Sequence, residues 1–254
     1  MEIMVDGMWK IAAFYKFTDL GTADRLRKLL GWTRREMAAR RIVGTVIFAN
    51  EGVNSTICGL AVDVDAFIGS LSEAIGEKLI PKYSYANEPP FRKIDVKIKP
   101  EIVTLKKEVD ISLGRGTHVR AENWNQIISD PDVVVLDARN DYEYRTGTFE
   151  GAINPETEKF SDLPEYVEKN LDPKTHKKVA MFCTGGIRCE KFAPYMRSLG
   201  FESVFQLEGG ILKYLEEVPR SEQLWRGECY VFDTRVSVDA ELRPAEAKDL
   251  SQEK

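Results

Sequence analysis

The chain has 254 residues, a formal net charge of −5, 43% hydrophobic and 30% charged residues, and four cysteines. That length supports two cores at the usual ~100–150 residues per domain. No apolar run reaches the roughly 18 residues that span a bilayer, and the first residues lack the regions of a secretory signal, so a cytoplasmic protein is expected and a membrane protein is not. Cys58, Cys183, Cys189 and Cys229 show no paired spacing, which argues against a disulfide scaffold and agrees with a reducing compartment.

In chain order, Trp9 to Phe17 predicts a strand, and Asp24 to Arg40 an amphipathic helix with Leu26, Leu29, Leu30, Met37 and Ala38 on its apolar face. Ile42 to Ala49 and Val53 to Cys58 predict a strand pair around the turn Asn50-Glu51-Gly52. A second helix follows over Val62 to Ile75, and Lys93 to Ile98 alternates apolar and charged residues as a half-solvated strand does. That order is the ferredoxin-like βαββαβ unit, assigned to residues 1–104. Residues 105–117, with Gly114, Gly116 and no apolar period, predict a linker. Residues 118–218 alternate short strands and helices, the pattern of an α/β domain on a mostly parallel sheet. Residues 219–254 form a C-terminal extension in which Cys229-Tyr230-Val231-Phe232 packs back on the body and Ala240 to Lys254 is expected to be a disordered tail.

The chemical signal is concentrated in Cys183-Thr184-Gly185-Gly186-Ile187-Arg188, between the apolar strand Lys178 to Phe182 and a helix that runs to Ser198. A cysteine at a helix N-terminus meets free N–H groups and about half a positive charge, and Arg188 adds a full one, so the Cys183 thiol should titrate below the usual ~8.5. Four residues separate Cys183 from Arg188, one fewer than in the phosphate-binding loop of cysteine phosphatases. The smaller ring suits a single anionic sulfur, such as the outer sulfur of a persulfide, cradled by backbone N–H groups. Cys183 is therefore the candidate nucleophile, with Thr184, Gly185, Gly186, Ile187 and Arg188 as the anion-binding loop.

Three nearby residues are accessory candidates. Cys189, six residues on and in the first helical turn, either resolves an oxidised or persulfidated Cys183 as a disulfide or is a small buried residue at a helix start. Arg139 either faces substrate or makes a structural ion pair, Glu143 comes from the same loop after the strand ending at Asp137, and Asp137 is expected to hold its loop by hydrogen bonds rather than act as a base. Cys58 and Cys229 lie on apolar strands and are expected to be structural.

The loop resembles the active-site loop of a rhodanese domain, the sulfurtransferase fold. The strand Val133 to Asp137 with the following Ala138-Arg139-Asn140-Asp141-Tyr142-Glu143, and the closing Gln206-Leu207-Glu208-Gly209-Gly210-Ile211, are similar to the other markers of that domain. These segments, with Gly227-Glu228-Cys229-Tyr230-Val231-Phe232-Asp233, Ala49 to Thr56 and Lys99 to Leu105, resemble the oxygen-dependent tRNA uridine hydroxylase family over nearly the whole chain. The resemblance implies conversion of a wobble uridine of tRNA to 5-hydroxyuridine, with molecular oxygen as co-substrate, tRNA as partner, and a sulfur donor or reductant as a further candidate partner. Many relatives continue into a Cys- and His-rich tail that is not carried over here. The alternative activity is a rhodanese-type sulfurtransferase working through a Cys183 persulfide.

Cofactor signals are thin. No Gly-x-Gly-x-x-Gly follows a strand, and a two-histidine, one-carboxylate iron site would need both His118 and His176, each of which reads as a surface residue, so no metal is assigned. Residues 1–116 hold 18 basic and 15 acidic side chains, +3, which leaves −8 for the remainder. Lys82, Arg92, Lys93, Lys97, Lys99, Lys106 and Lys107 with Tyr83, Tyr85 and Phe91 read as one basic, aromatic segment that either tracks a phosphate backbone and stacks a base or is a lysine-protected strand edge; the resemblance favours tRNA. The sequence leaves the oligomeric state open.

Overall fold

The computed structural model describes residues 8–110, 113–245 and 247–252, and the chain divides into two compact units, Met1–Ile102 and Val103–Lys254.

In the first unit β1 (Trp9–Phe17), α1 (Ala23–Ala39), β2 (Val43–Ala49), β3 (Gly52–Gly59), α2 (Ala61–Ile75), β4 (Lys82–Ala86) and β5 (Ile94–Ile98) form one sheet in the order β4-β1-β3-β2-β5. Thr22 caps α1 by accepting the Arg25 N–H, and Leu26, Leu29, Thr33 and Met37 point into the core with Val46, Phe48, Phe67 and Leu71. Ala38, expected on that apolar face, is exposed.

One element differs from expectation in a way that matters. The strand that closes the ferredoxin-like unit is β4, antiparallel to β1, whereas Lys93 to Ile98 supplies β5, an added fifth strand running parallel to β2 at the other edge. β4 escapes pattern reading because Tyr83 and Tyr85 are exposed while Lys82 and Ser84 are half-buried, so it lacks an apolar alternation. The basic, aromatic segment is therefore not one surface. Lys82, Tyr83 and Tyr85 lie on one edge of the sheet, Arg92, Lys93, Lys97 and Lys99 beside the other, Lys106 and Lys107 belong to the second unit, and Phe91 packs against the cluster of Ile11, Cys58 and Ala86.

The second unit contains β6 (Thr117–Val119), α3 (Ala121–Ile128), β7 (Val133–Asp137), α4 (Asp141–Thr146), β8 (Gly147–Phe149), α5 (Leu163–Asn170), β9 (Lys178–Phe182), α6 (Ile187–Ser198), β10 (Ser203–Leu207), α7 (Gly210–Glu217), β11 (Trp225–Gly227), β12 (Cys229–Tyr230) and β13 (Ser237–Val238). Its main sheet is fully parallel, in the order β6-β10-β9-β7. Side chains alternate across it. Val135, Ala180, Phe182 and Leu207 meet Trp124, Tyr214 and Trp225, while Leu136, Val179, Met181 and Val204 meet Leu163, Val167, Phe192 and Met196. Phe149 sits at the centre of the first layer with edge-to-face contacts to Phe182, Tyr214 and Trp225 at 4.7–5.2 Å.

Both flanking stretches make defined contacts. Within the stretch 105–117, which reads as a linker, Leu105 is fully buried with Phe192, the Leu113 carbonyl accepts from Arg197 at 3.1 Å, and the Arg115 carbonyl accepts from Gln206 at 2.6 Å. In the C-terminal stretch, which reads as a disordered tail, described contacts extend to Asp249. Ser237 and the Ala247 N–H both donate to Glu228 Oε2, at 2.6 and 3.0 Å, Tyr230 donates to Asp249, and Ala240 is buried. Glu253 and Lys254 lie outside the described residues. In both stretches most of these contacts are polar and the apolar ones are isolated, so no hydrophobic period is left to read.

Candidate active site

Cys183 follows directly on β9, at the carboxyl end of a central strand of a parallel sheet, where such folds bind ligands. The loop then turns into α6 through Gly186, whose left-handed φ of 95° lets the backbone N–H groups curl toward the sulfur. The Gly186 N–H donates to Cys183 Sγ at 3.1 Å, and the Arg188 and Cys189 N–H groups and the Cys189 thiol hydrogen-bond the same atom. Burial opposes ionisation, since Cys183 is only 1% exposed, but these donors and the Arg188 charge outweigh it and bring the thiol down to about 5. Cys189 moves the other way: burial and its bond to the Cys183 sulfur hold it well above the usual thiol range, as a neutral donor.

The back of the loop is clamped by the last helix. The Ile211 and Leu212 N–H groups at the start of α7 donate to the Cys183 and Thr184 carbonyls at 3.0 and 3.1 Å. Gly210, at φ 71°, passes so close that a Cβ there would lie 2.5 Å from the Cys183 oxygen and 2.6 Å from the Thr184 oxygen. The glycine pair Gly209-Gly210 is thus a structural counterpart of the cysteine loop.

The sequence places Arg188 where it would close the loop around the anion. Its guanidinium instead makes a bidentate pair with Glu143, at 2.6 and 2.7 Å, and both side chains are buried. Burial alone would raise the Glu143 carboxyl, but Arg188, and behind it Arg139, hold it below the usual range. Glu143 also accepts from Thr184 Oγ1 and from the Asn140 N–H at the start of α4. It therefore ties α4 to the loop and fixes where the Arg188 charge sits relative to the sulfur. No spacing in the sequence predicts that pairing across 45 residues.

Arg139 makes an ion pair inside the fold. Its guanidinium pairs with Asp137 at 2.9 and 2.6 Å, donates to the Gly147 carbonyl, and is fully buried beneath Trp225. Asp137 also accepts from Thr148 Oγ1 at 2.9 Å. Cys58 and Cys229 are buried, with burial pushing Cys229 up to about 12. His118, which reads as a surface residue, is half-exposed but pairs with Glu190 of α6 at 2.8 Å, and Glu190 also meets Arg115 at 2.8 Å. His176 accepts the Asp172 N–H in a polar turn.

One residue beside the loop, Phe232, belongs to the segment Cys229 to Phe232 that the sequence reads as packing back on the body, but it faces solvent. Phe232 is 62% exposed, and its ring centroid lies 5.9 Å from the Arg188 Cζ. Tyr230 meets it edge-on at 5.3 Å, and Tyr142 meets Tyr230 at 5.0 Å.

A buried thiolate in a glycine-turned loop after a parallel strand, in a chain that begins with a ferredoxin-like unit, defines a two-domain protein whose second domain is of the rhodanese class. Residues 9–102 match a UPF0176 acylphosphatase like domain and residues 120–217 a rhodanese-like domain. The chain is 52% identical over 231 residues, 90% of its length and 71% of the relative's, to a tRNA uridine(34) hydroxylase from Teredinibacter turnerae, and it belongs to that family. Among solved structures, a rhodanese-like domain from Anabaena sp is 20% identical, covering 52% of this chain and 87% of that one at a TM-score of 0.37. An acylphosphatase from Coxiella burnetii is 13% identical, covering 38% and 100% at a TM-score of 0.27.

Proposed function

We propose that this protein is a cytoplasmic tRNA-modifying enzyme that hydroxylates the uridine at position 34 to 5-hydroxyuridine, with the Cys183 thiolate as its reactive group. The observation that carries the reading is the 52% identity to a tRNA uridine(34) hydroxylase across 90% of this chain. What the site contributes is a sulfur anion available at neutral pH. As a nucleophile it adds to C6 of the uracil ring, which places electron density on C5, the atom to be oxidised; expulsion of the thiolate after loss of the C5 proton restores the ring. Molecular oxygen is the co-substrate. One oxygen atom enters the base and the other leaves as water, so two electrons per turnover come from a reductant partner.

The test is nucleoside analysis of tRNA from a strain lacking the gene, complemented by wild type or by Cys183→Ser. Loss of 5-hydroxyuridine-derived nucleosides, restored by wild type and not by Cys183→Ser, is expected. Full restoration by Cys183→Ser removes Cys183 from the chemistry, and unchanged nucleosides in the deletion strain remove the activity itself. Sulfur transfer from thiosulfate to cyanide by the purified protein is expected to be marginal, and robust turnover would favour the sulfurtransferase alternative.

A further inference from the structure

Residues 229–238 form a hairpin that the hydroxylation chemistry above leaves without a role. β12 and β13 pair through Cys229 with Val238 and Tyr230 with Ser237, the Val231 N–H reaches the Val236 carbonyl at 2.8 Å, and Phe232 begins the turn between them. That turn is held by an unusual number of polar contacts. Asp233 and Arg235 form a nearly buried bidentate pair at 2.8 and 2.6 Å, the Arg235 N–H also donates to Asp233, and Val236 adopts a left-handed φ of 62°, which a β-branched residue rarely tolerates. The outcome is a rigid tip that holds a phenylalanine in water, beside the guanidinium that flanks the reactive sulfur.

Isolated surface aromatics are common and need no explanation, but three features set this one apart. Its backbone is braced by buried charge and strain, so the exposure is built into the turn. Its flank is supported edge-on by Tyr230 and, behind it, Tyr142, which borders the Glu143–Arg188 pair. It also lies next to the charged loop around Cys183 and not on a remote face. Rings presented this way stack on extruded bases, because every base offers a π-face and an edge-supported ring needs no ordering on binding.

We propose that Phe232 is the stacking platform for the target uracil, setting the base over the Cys183 loop. The inference rests on the tRNA reading above and deepens it by naming a base-binding residue. It is tested on the full chain with an anticodon stem–loop RNA carrying 5-iodouridine at position 34, irradiated in the complex, with the cross-linked peptide mapped by mass spectrometry. A cross-link at Phe232 is expected. Phe232→Leu, which keeps apolar volume but lacks a π-face, should cut cross-link yield and 5-hydroxyuridine formation in the complemented strain about tenfold or more, with Phe232→Tyr restoring both. An unchanged Cys183 alkylation profile in the leucine variant shows that the loop is intact. A wild-type cross-link mapped elsewhere, no cross-link from a bound stem–loop, or full hydroxylation by Phe232→Leu overturns the proposal. If wild type makes no 5-hydroxyuridine, the function reading fails instead, and that is read in a separate arm.

Discussion

Cys183 combines near-complete burial with a thiol brought down to about 5, so between pH 6 and 8 it is an anion held by hydrogen bonds in place of water. The rate of its alkylation by iodoacetamide should be flat above about pH 6 and fall tenfold per unit below the thiol's own value, because only the thiolate attacks. Removing the neutral donor with Cys189→Ala should move that inflection up by about one unit, the worth of one hydrogen bond to a charged group. An unmoved inflection would assign the whole effect to the backbone and Arg188. Glu143→Gln leaves the buried Arg188 guanidinium without its counter-charge and should cost about 3 kcal/mol in chemical denaturation. The buried cysteine and its loop are legible in the sequence because one strand, one turn and one helix start place them. Glu143 is legible only as a neighbour, since its role depends on two loops meeting in space, and the choice between the roles of Arg139 needs the burial that pairs it with Asp137.

The loop depends on elements as much as on side chains. Gly210→Ala forces a non-glycine residue to φ 71° and drives its Cβ toward the Cys183 and Thr184 carbonyls. The backbone strain alone costs about 1–3 kcal/mol, and the displaced carbonyls should slow Cys183 alkylation at neutral pH even where the variant stays folded. His118 of β6 pairs with Glu190 of α6, whose hydrogen bond raises the imidazole above its ordinary 6.5; burial and Arg115 oppose the rise and Glu208 adds to it. The folded value lies above the unfolded one, so this stabilisation is complete below the unfolded value and fades as pH rises through the folded one. The stability difference between wild type and His118→Gln should therefore be larger at pH 5.5 than at pH 8.5, measured by urea titration. Elements with a strong apolar period, such as α1 and β9, are legible within one or two residues. β4 is not, because an edge strand with outward tyrosines carries its stabilisation in backbone pairing to β1.

At the scale of the molecule, the net charge of −5 repels RNA on average, so tRNA affinity has to come from local positive charge. Much of the first unit's basic charge is engaged within the unit: Lys10 with Asp65, Lys16 with Glu77, Arg40 with Glu36, Lys97 with Asp95, and Arg34 on the Val96 carbonyl. Arg92 and Lys93 stand exposed just before β5, with Lys99 exposed just after it, on the edge opposite Tyr83 and Tyr85. This makes the β5 edge the expected track for phosphates, a distinction invisible while the basic and aromatic residues read as one segment. The measurement is the dependence of log Kd for tRNA on log salt between 50 and 200 mM. Every phosphate no longer neutralised by the protein lowers the steepness by about 0.9, so Arg92→Glu with Lys93→Glu should weaken binding at low salt and flatten the slope by roughly two. Tyr83→Ala with Tyr85→Ala should leave the slope unchanged, since neither residue carries charge. If the glutamate pair binds with wild-type affinity and slope, the phosphate backbone runs elsewhere, and the charge asymmetry of the two halves reflects solubility and not recognition.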